Sequence, residues 1–256
     1  MSRAVCMLRN DLVYRRNAVC DGLKAAGFDV VDHFDSSNEH DVLVIWNRYG
    51  GWHEIAQAYE RRGSRVIVME NGYLGKKWIG DEWFAMSVGH HSGLGTWGIG
   101  GPERWDSLGV KLADWCPDAD TPRPLILAQR GIGESGIASP VGWAESVQHR
   151  IGGRIRPHPG KHAPAVPIEV DLEGVSEVVT WHSAAALQSL CLGVPVWYDC
   201  FGWIGAGACR PLSEWPGAPK KDSAARLAMF QRLAWANWRL DEIQNGQAFT
   251  SVLGIR

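Results

Sequence analysis

The stretch DVLVIW (41–46), a helical segment from about His53 to Arg62 and the stretch RVIVME (65–70) follow one another and decide the fold. Both apolar stretches are short and rich in β-branched residues, which is typical of buried strands. A strand, a helix and a second strand in this order form a β-α-β unit with parallel strands. The sequence therefore predicts an α/β protein whose sheet is covered by helices on both faces.

The same alternation extends over the rest of the chain and pauses at the Pro- and Asp-rich segment CPDADTPRP (116–124), which is typical of a linker. We therefore expect two Rossmann-like domains, 1–115 and 116–221, and a C-terminal segment, 222–256, that returns to the first domain. Its apolar side chains repeat at helical spacing and favour one long amphipathic helix over 222–244. The other expected elements are strands 3–8, 29–34, 83–88, 124–129, 153–158, 175–181 and 194–199 and helices 15–26, 141–150 and 183–192.

Composition and charge exclude several classes of protein. Apolar residues make up 45% of the 256 residues, which is enough for packed cores and excludes disordered and fibrous chains. The 26 Lys and Arg nearly balance the 28 Asp and Glu, so neither half is a general surface for phosphate or nucleic acid. No apolar run has the length of a membrane span, and charged residues interrupt any signal segment, so we expect a cytoplasmic protein with no membrane partner.

The cysteines and histidines give no sign of a metal site. The six cysteines form no Cys-x-x-Cys pair and mostly stand among apolar or small residues, which favours reduced, packed thiols. His149, His158 and His162 are close in sequence but lack metal-ligand spacing with acidic or Cys partners. The sequence therefore predicts no metal.

Polar side chains follow most of the predicted strands, at the edge where ligands bind in open α/β sheets. In the first domain they include acids, amides and histidines: Asn10, Asn47, Arg48, Tyr49, Glu70, Asn71, Tyr73, His90 and His91. In the second domain Arg, His and Ser stand out: Gln129, Arg130, Gly131, Arg156, His158, Pro159, His182, Ser183 and Ala184. Arginines and the free N–H groups of a helix start bind phosphate oxygens. The division predicts a phosphate-bearing donor in the second domain and an acceptor activated in the first.

Each position also has a purely structural alternative. Arg156 and Glu70 could form ion pairs, His158-Pro159 a rigid turn, and Ser183 a plain helix cap. The string GIGESG (131–136) matches the G-x-G-x-x-G pattern of dinucleotide-binding loops, but the next strand ends in Arg-Pro-His without the acidic residue that holds a ribose. A nicotinamide enzyme is therefore the weaker interpretation.

Three short motifs together resemble glycosyltransferases of the GT-B class, in particular the capsular-polysaccharide and bacterial sialyltransferase-like groups. They are Glu70-Asn71-Gly72-Tyr73-Leu74, Arg156-Pro157-His158-Pro159, and Thr180-Trp181-His182-Ser183 before a helix that ends in Leu192-Gly193-Val194-Pro195-Val196. The resemblance implies that Glu70 is the catalytic base of an acidic-x-Gly motif. It implies that His158-Pro159 and the helix start at Ser183 hold the donor phosphate. The chain departs from the pattern at Asn71, where a second acid is usual, and at His182-Ser183, where a Ser/Thr pair is usual.

A second resemblance is to a group of proteins encoded by tailed phages and prophages. It rests on GGPERW (100–105), LILAQRGIG (125–133), RIRPHPG (154–160) and GWIGA (202–206). In that setting the acceptor implied is a hydroxymethylated pyrimidine in double-stranded phage DNA, and the location is the host cytoplasm. A basic cluster of Arg15, Arg16, Arg48, Lys76 and Lys77 could contact such DNA.

The expected function is that of a metal-independent hexosyltransferase that uses a nucleotide sugar and no cofactor, with a UDP-sugar favoured over a CMP-sugar. Glu70, or else His90 or His91, takes the proton of the acceptor hydroxyl. Arg130, Arg156, His158 and the helix at Ser183 stabilise the departing phosphate in a cleft between the domains. The alternatives are a saccharide acceptor and a phage protein that keeps the fold without catalysis.

Overall fold

The computed structural model describes residues 2–31, 41–159 and 166–255. Its contacts divide the chain into two compact units. The first unit comprises Met1–Arg104 and Gln231–Arg256, and the second comprises Trp105–Phe230. Each is an α/β unit with its own sheet.

The first unit contains a mixed sheet with helices on both faces. Numbered along the chain, its strands are β1 (Arg3–Cys6), β2 (Asp29–Val31), β3 (Val42–Trp46), β4 (Arg65–Asn71), β5 (Lys77–Trp78), β6 (Asp81–Val88) and β12 (Asn237–Arg239). Its helices are α1 (Arg16–Ala25), α2 (Gly51–Glu60), α8 (Leu240–Gln244) and α9 (Gln247–Leu253), and α3 (Glu103–Asp106) lies at the unit boundary. Of the expected strand 29–34, residues 32–34 lie outside the described residues.

The strand order in the first sheet is β2-β1-β3-β4-β6-β12, and β5 pairs with β6. Strands β1 to β4 are parallel, which confirms the predicted β-α-β units. Strand β6 is antiparallel to β4, with Ala85 opposite Glu70 and Val88 opposite Ile67. The carboxyl end of β6 therefore lies back from that of β4, and the loop after it has to reverse direction to reach Glu70.

Alternation along β4 decides which side chains face which helices. Ile67 and Met69 belong to the core packed around α1, α8 and α9, whereas Val66 and Val68 belong to the core around α2. Because side chains alternate between faces along a strand, Glu70 projects on the same face as Val66 and Val68. The packing of two apolar layers thus fixes the direction of the acidic side chain at the strand's end.

The second unit contains a parallel sheet in the order β11-β10-β9-β7-β8. Its strands are β7 (Pro124–Leu127), β8 (Arg154–Arg156), β9 (Glu177–Thr180), β10 (Val196–Tyr198) and β11 (Arg210–Pro211). Its helices are α4 (Trp143–Ile151), α5 (Ile168–Asp171), α6 (Ala184–Cys191) and most of α7 (Ser223–Ala234), with 3-10 turns at Ile204–Ala208 and Leu212–Glu214. Counted along the chain, the five parallel strands of this sheet follow the doubly wound order 2-1-3-4-5, whose direction reverses between the first and third strands. The first sheet begins with the same order, 2-1-3-4, and continues with the antiparallel strand β6. In the second unit that switch point lies between β7 and β9.

The expectation of one helix over 222–244 is wrong. Helix α7 ends at Ala234, the chain then adds β12 to the first sheet as an antiparallel neighbour of β6, and α8 follows. Tertiary pairing overrides the helical periodicity here, because Trp238 in β12 is fully buried in the first core. Arg104 of the GGPERW motif holds the segment through two hydrogen bonds to the Glu242 carboxylate, at 2.7 and 2.8 Å. Its guanidinium also lies 4.0 Å from the centre of the Trp238 ring, so the structure assigns this motif a packing role.

Candidate active site

Glu70 lies at the end of β4 and is the centre of a small hydrogen-bonded cluster. Its carboxylate accepts hydrogen bonds from the backbone N–H of Ser92 and from the Tyr73 hydroxyl. Burial raises the pKa of Glu70 to about 7, against the lowering effect of these two hydrogen bonds. A carboxylate with a pKa near neutrality can take up and release a proton under physiological conditions, as a general base must.

Tyr73 connects Glu70 to the loop that follows β6. The hydroxyl accepts a hydrogen bond from the N–H of Gly93 at 2.8 Å, and its side chain is almost completely buried. Burial, together with the charge of Glu70, raises the pKa of Tyr73 well above its usual value, so it stays a hydrogen-bond donor to the carboxylate. The sequence predicts an acceptor-binding role for Tyr73, and the geometry adds contact with the proposed base.

The loop that carries Ser92 is anchored to the end of β3. The backbone N–H of Arg48 donates to Nδ1 of His91 at 3.1 Å, and the Arg48 guanidinium donates to the Gly89 carbonyl at 2.7 Å. Ser92 adopts a left-handed backbone conformation with φ 58°, which aims its N–H at Glu70. The loop after β6 therefore turns back toward the carboxyl end of β4, where Glu70 lies.

His91 is a poor candidate for the base in this geometry. Its Nδ1 is the acceptor of the Arg48 N–H, so in the neutral ring the proton resides on Nε2. Its side chain is 2% exposed, which leaves little access for a substrate. His90 is partly buried, and its carbonyl accepts a hydrogen bond from the Ser87 hydroxyl. The catalytic roles of His90 and His91 stay predictions, and the geometry favours Glu70.

The Arg48 guanidinium lies inside the first unit. It forms a two-point ion pair with the Glu60 carboxylate at 2.5 and 2.8 Å and contacts Nδ1 of His53 at 3.3 Å. The side chain is 4% exposed, so it connects α2 to the loop after β6. The charge of Arg48 is therefore already paired with that of Glu60. The acceptor-binding role predicted for Arg48 stays a prediction.

The remaining acceptor-side candidates surround this cluster at the strand ends. Asn47 has a left-handed backbone with φ 55°, and its N–H donates to the Met69 carbonyl at 3.0 Å. Asn10 and Asn71 are exposed, and Tyr49 is 47% exposed. None of these side chains has a described contact with Glu70, so their acceptor roles stay predictions.

In the second unit, three cationic or titratable side chains gather after β7 and β8. Partial desolvation of the ring lowers the pKa of His158, and the charges of Arg130 and Arg156 lower it further, which places the three groups close together. Arg130 and His158 are exposed. Their position beyond two neighbouring carboxyl ends is suited to an anionic ligand group.

Arg156 differs from Arg130 because it is already paired. Its Nε donates to Asp171 at 2.6 Å and its Nη2 donates to the Val166 carbonyl at 2.6 Å. Burial opposes ionisation of Asp171, but hydrogen bonds from Arg156 and Arg154 lower its pKa below the usual value. The structural alternative of an ion pair is therefore present, and a donor-binding role for Arg156 stays a prediction.

Gln129 and His182 meet across the switch point between β7 and β9. The Gln129 side chain accepts from the His182 N–H at 2.9 Å, and its Nε2 lies 3.0 Å from Nδ1 of the His182 ring. The other ring nitrogen contacts the Ile137 carbonyl at 2.8 Å. Burial lowers the pKa of His182, so a neutral ring that donates from Nε2 and accepts at Nδ1 satisfies both contacts. The partners Asp171, Glu60 and Ile137 could not be predicted from the sequence, since nothing in their local patterns marks them.

Ser183 caps helix α6, as its structural alternative states. Its hydroxyl accepts from the Ala185 N–H at 3.2 Å, and its own N–H donates to Thr180 Oγ1 at 2.8 Å. Ala184 is exposed at the helix start.

A pocket of about 250 Å³ is lined by Gln129, Arg130 and Gly131 together with the start of α4. A ligand in this pocket would contact the exposed residues Arg130 and Gly131. Pro159 follows His158 and is partly exposed, and its donor-binding role stays a prediction.

Within residues 2–31, 41–159 and 166–255, no three His, Cys, Asp or Glu side chains are arranged to hold a metal ion. In the same ranges no helix combines the length and apolar character that crossing a membrane requires.

The chain shares its fold with solved transferase structures. It is similar to KpsC of Thermosulfurimonas dismutans, beta Kdo 2,7 transferase, with a TM-score of 0.55, 12% identity and coverage of 97% of this chain and 99% of that chain. It is also similar to the beta Kdo 2,4 transferase of KpsC from the same organism, with a TM-score of 0.53, 14% identity and coverage of 93% and 92%. At these identities the likeness shows the mixed α/β fold. No protein-family model and no curated protein matches the chain.

Proposed function

We propose that the chain is a glycosyltransferase that moves a sugar from a nucleotide-sugar donor to an acceptor hydroxyl. The observation that carries the proposal is Glu70, a half-buried carboxylate with its pKa raised to about 7, at a strand end where ligands bind in α/β sheets. The fold shared with two Kdo transferases supports this reaction class. In the proposed GT-B-type division of labour, the first unit activates the acceptor and the second binds the donor.

In the proposed step, Glu70 takes the proton of the acceptor hydroxyl while that oxygen attacks the anomeric carbon. The bond between the anomeric carbon and the phosphate oxygen breaks, and negative charge grows on the nucleotide. Arg130, His158 and the positive dipole end of α6, where Ala184 is exposed, would stabilise that charge. We assign the stabilisation to these groups, so no metal enters the proposed step.

The charges around the first unit favour a saccharide acceptor over DNA. Arg48 is paired with Glu60, and Arg15 and Lys76 both pair with Glu82, at 2.8 and 3.3 Å. Three members of the basic cluster expected to contact DNA thus have a carboxylate partner, and two of them share Glu82. Affinity for duplex DNA depends largely on cations that contact phosphates, so this pairing weakens the case for a hydroxymethylpyrimidine acceptor.

A thermal-shift panel of UDP, CMP, GDP and their sugars tests the donor site. A ligand that binds only the folded protein raises its melting temperature by mass action. We expect stabilisation by one nucleotide and its sugars, with a UDP-sugar favoured over a CMP-sugar and a hexose as the sugar. No shift with any member of the panel would reject a working donor site and favour a non-catalytic protein with this fold.

The stabilising donor is then assayed with two acceptors. We expect labelled sugar to appear on oligosaccharides and to be absent from duplex DNA that carries hydroxymethylpyrimidine. Transfer to the DNA alone would replace the saccharide acceptor by the DNA acceptor.

A further inference from the structure

Cys6 and Cys20 form a thiol pair in the first unit, apart from the Glu70 cluster. Cys6 lies in β1 and is buried in the core, and Cys20 on α1 packs against the same core from a partly exposed position. The two thiols are in hydrogen-bonding contact, and neither forms a disulfide in this structure.

Cys20 also faces a cavity of about 320 Å³ between α1 and β2. Arg16 and Lys24, one helical turn before and one after Cys20, lie on the cavity wall, and so does Asp21. The hydrogen bond from Cys6 and the charges of Arg16 and Lys24 lower the pKa of Cys20, whereas burial and Asp21 oppose this. The cavity gives small molecules access to a thiol that ionises easily.

The remaining cysteines that the structure describes have the opposite character. Burial raises the pKa of Cys191 to about 12 and that of Cys200 to about 11, and it also raises the pKa of Cys209. Burial raises the pKa of the partly exposed Cys116 as well. Thiolates are the nucleophiles in disulfide exchange, so Cys20 is the thiol best suited to react.

We propose that Cys20 and Cys6 form a dithiol site that exchanges with anionic low-molecular-weight disulfides and closes to a Cys6–Cys20 disulfide. The Cys20 thiolate attacks one sulfur of the small disulfide, the new S–S bond forms, and one small thiolate leaves. The Cys6 sulfur then attacks Cys20, its proton passes to the second departing thiolate, and the protein disulfide forms. Two protein thiols are oxidised, one small disulfide is reduced to two thiols, and no other oxidant is needed.

The test is incubation of the reduced, folded full-length chain with oxidised glutathione at pH 8, followed by an acid quench, alkylation and tryptic mapping. We expect a disulfide-linked pair of the peptides Ala4–Arg9 and Asn17–Lys24. Cys20 should be consumed roughly tenfold or more faster than Cys116 in the same sample, because its thiolate fraction is larger. The wild-type map stands without any variant, so a folding defect in a mutant does not affect it.

Variants separate the two steps. Cys6→Ser should stop at a glutathione adduct on Cys20, Cys20→Ser should leave Cys6 unreacted, and Cys116→Ser should behave as the wild type. The proposal is overturned if the wild type accumulates the adduct without the linked peptides, or if Cys116 reacts as fast as Cys20. Neither result bears on the proposed sugar transfer, since the pair lies outside the Glu70 cluster.

Discussion

The side chain of Gln129 pairs with both the backbone N–H and the ring of His182 across the switch point of the second sheet, at 2.9 and 3.0 Å. The two residues follow β7 and β9, which are 53 positions apart in sequence and adjacent in the sheet. Because the His182 ring is buried, its orientation depends on this amide and on the Ile137 carbonyl. The pair therefore sets the backbone path into the start of α6, where the proposed donor phosphate binds.

Replacing this amide should destabilise the protein. Gln129→Met leaves the His182 N–H and Nδ1 without their partner, and we expect the free energy of unfolding to fall by about 1 to 3 kcal/mol. Urea denaturation measures the change. Gln57→Met on the exposed face of α2 is the matched control and should change the stability by less than about 0.5 kcal/mol. Equal stability of the Gln129 variant and the control would refute the importance of the pair.

Arg130 and Arg156 should respond differently to mutation. Arg130 is exposed, so Arg130→Ala should weaken binding of the stabilising nucleotide about tenfold or more and leave the melting temperature of the free protein nearly unchanged. Isothermal titration calorimetry measures the affinity, and Arg150→Ala on the exposed face of α4 is the control. If both alanine variants bind the nucleotide equally well, Arg130 does not contact the donor.

Tyr73→Phe tests the hydrogen bond to Glu70. The hydroxyl lowers the pKa of Glu70, so its removal should raise that pKa above about 7 and move the rising limb of the pH–rate profile to higher pH. The profile of kcat/KM measures the shift. Tyr198→Phe, a matched substitution in the second unit, should leave the profile unchanged. An unshifted profile for Tyr73→Phe would show that the Tyr73 hydroxyl does not bond to the group whose ionisation limits the rate.

The raised pKa of Glu70 also predicts how stability depends on pH. The folded pKa is about 7 and the ordinary value is 4.5, so the folded state holds this proton more tightly than the unfolded state. The stabilisation is fully present below pH 4.5 and is lost as the pH rises through 7. Relative to Glu70→Gln, the wild type should lose up to about 1.4 kcal/mol per pH unit in this window. Chemical denaturation at several pH values measures the difference, and parallel curves for the two proteins would contradict the raised pKa.

Much of the secondary structure could be predicted from local patterns, because buried strands and amphipathic helices have different periodicities. The segments 41–46 and 65–70 match β3 and β4 to within a residue. The direction of β6 could not be predicted, because alternation is the same in parallel and antiparallel strands. The strand β12 was missed for a related reason: the helical spacing of Leu233 and Ile243 continues through a segment that pairs with β6.

The sequence predicted at which strand ends the candidate site residues lie, but it did not predict which side chains contact one another. The position of Glu70 follows from the end of a predicted strand, whereas its hydrogen bond from Tyr73, three positions later, was not predicted. The partners of Arg48 and Arg156 depend on how a helix packs beside its strand, which no local pattern specifies. That packing pairs Arg48 with Glu60 and Arg156 with Asp171, and neither pair could be predicted from the sequence.

The most direct test of the proposed function compares the wild type with Glu70→Gln, using the nucleotide sugar that stabilises the protein and its acceptor. Glutamine keeps the size of the side chain but cannot take up the acceptor's proton. We expect transfer to fall by about 100-fold or more, while the donor still raises the melting temperature of the variant. Transfer at the wild-type rate by Glu70→Gln would contradict the assignment of Glu70 as the base.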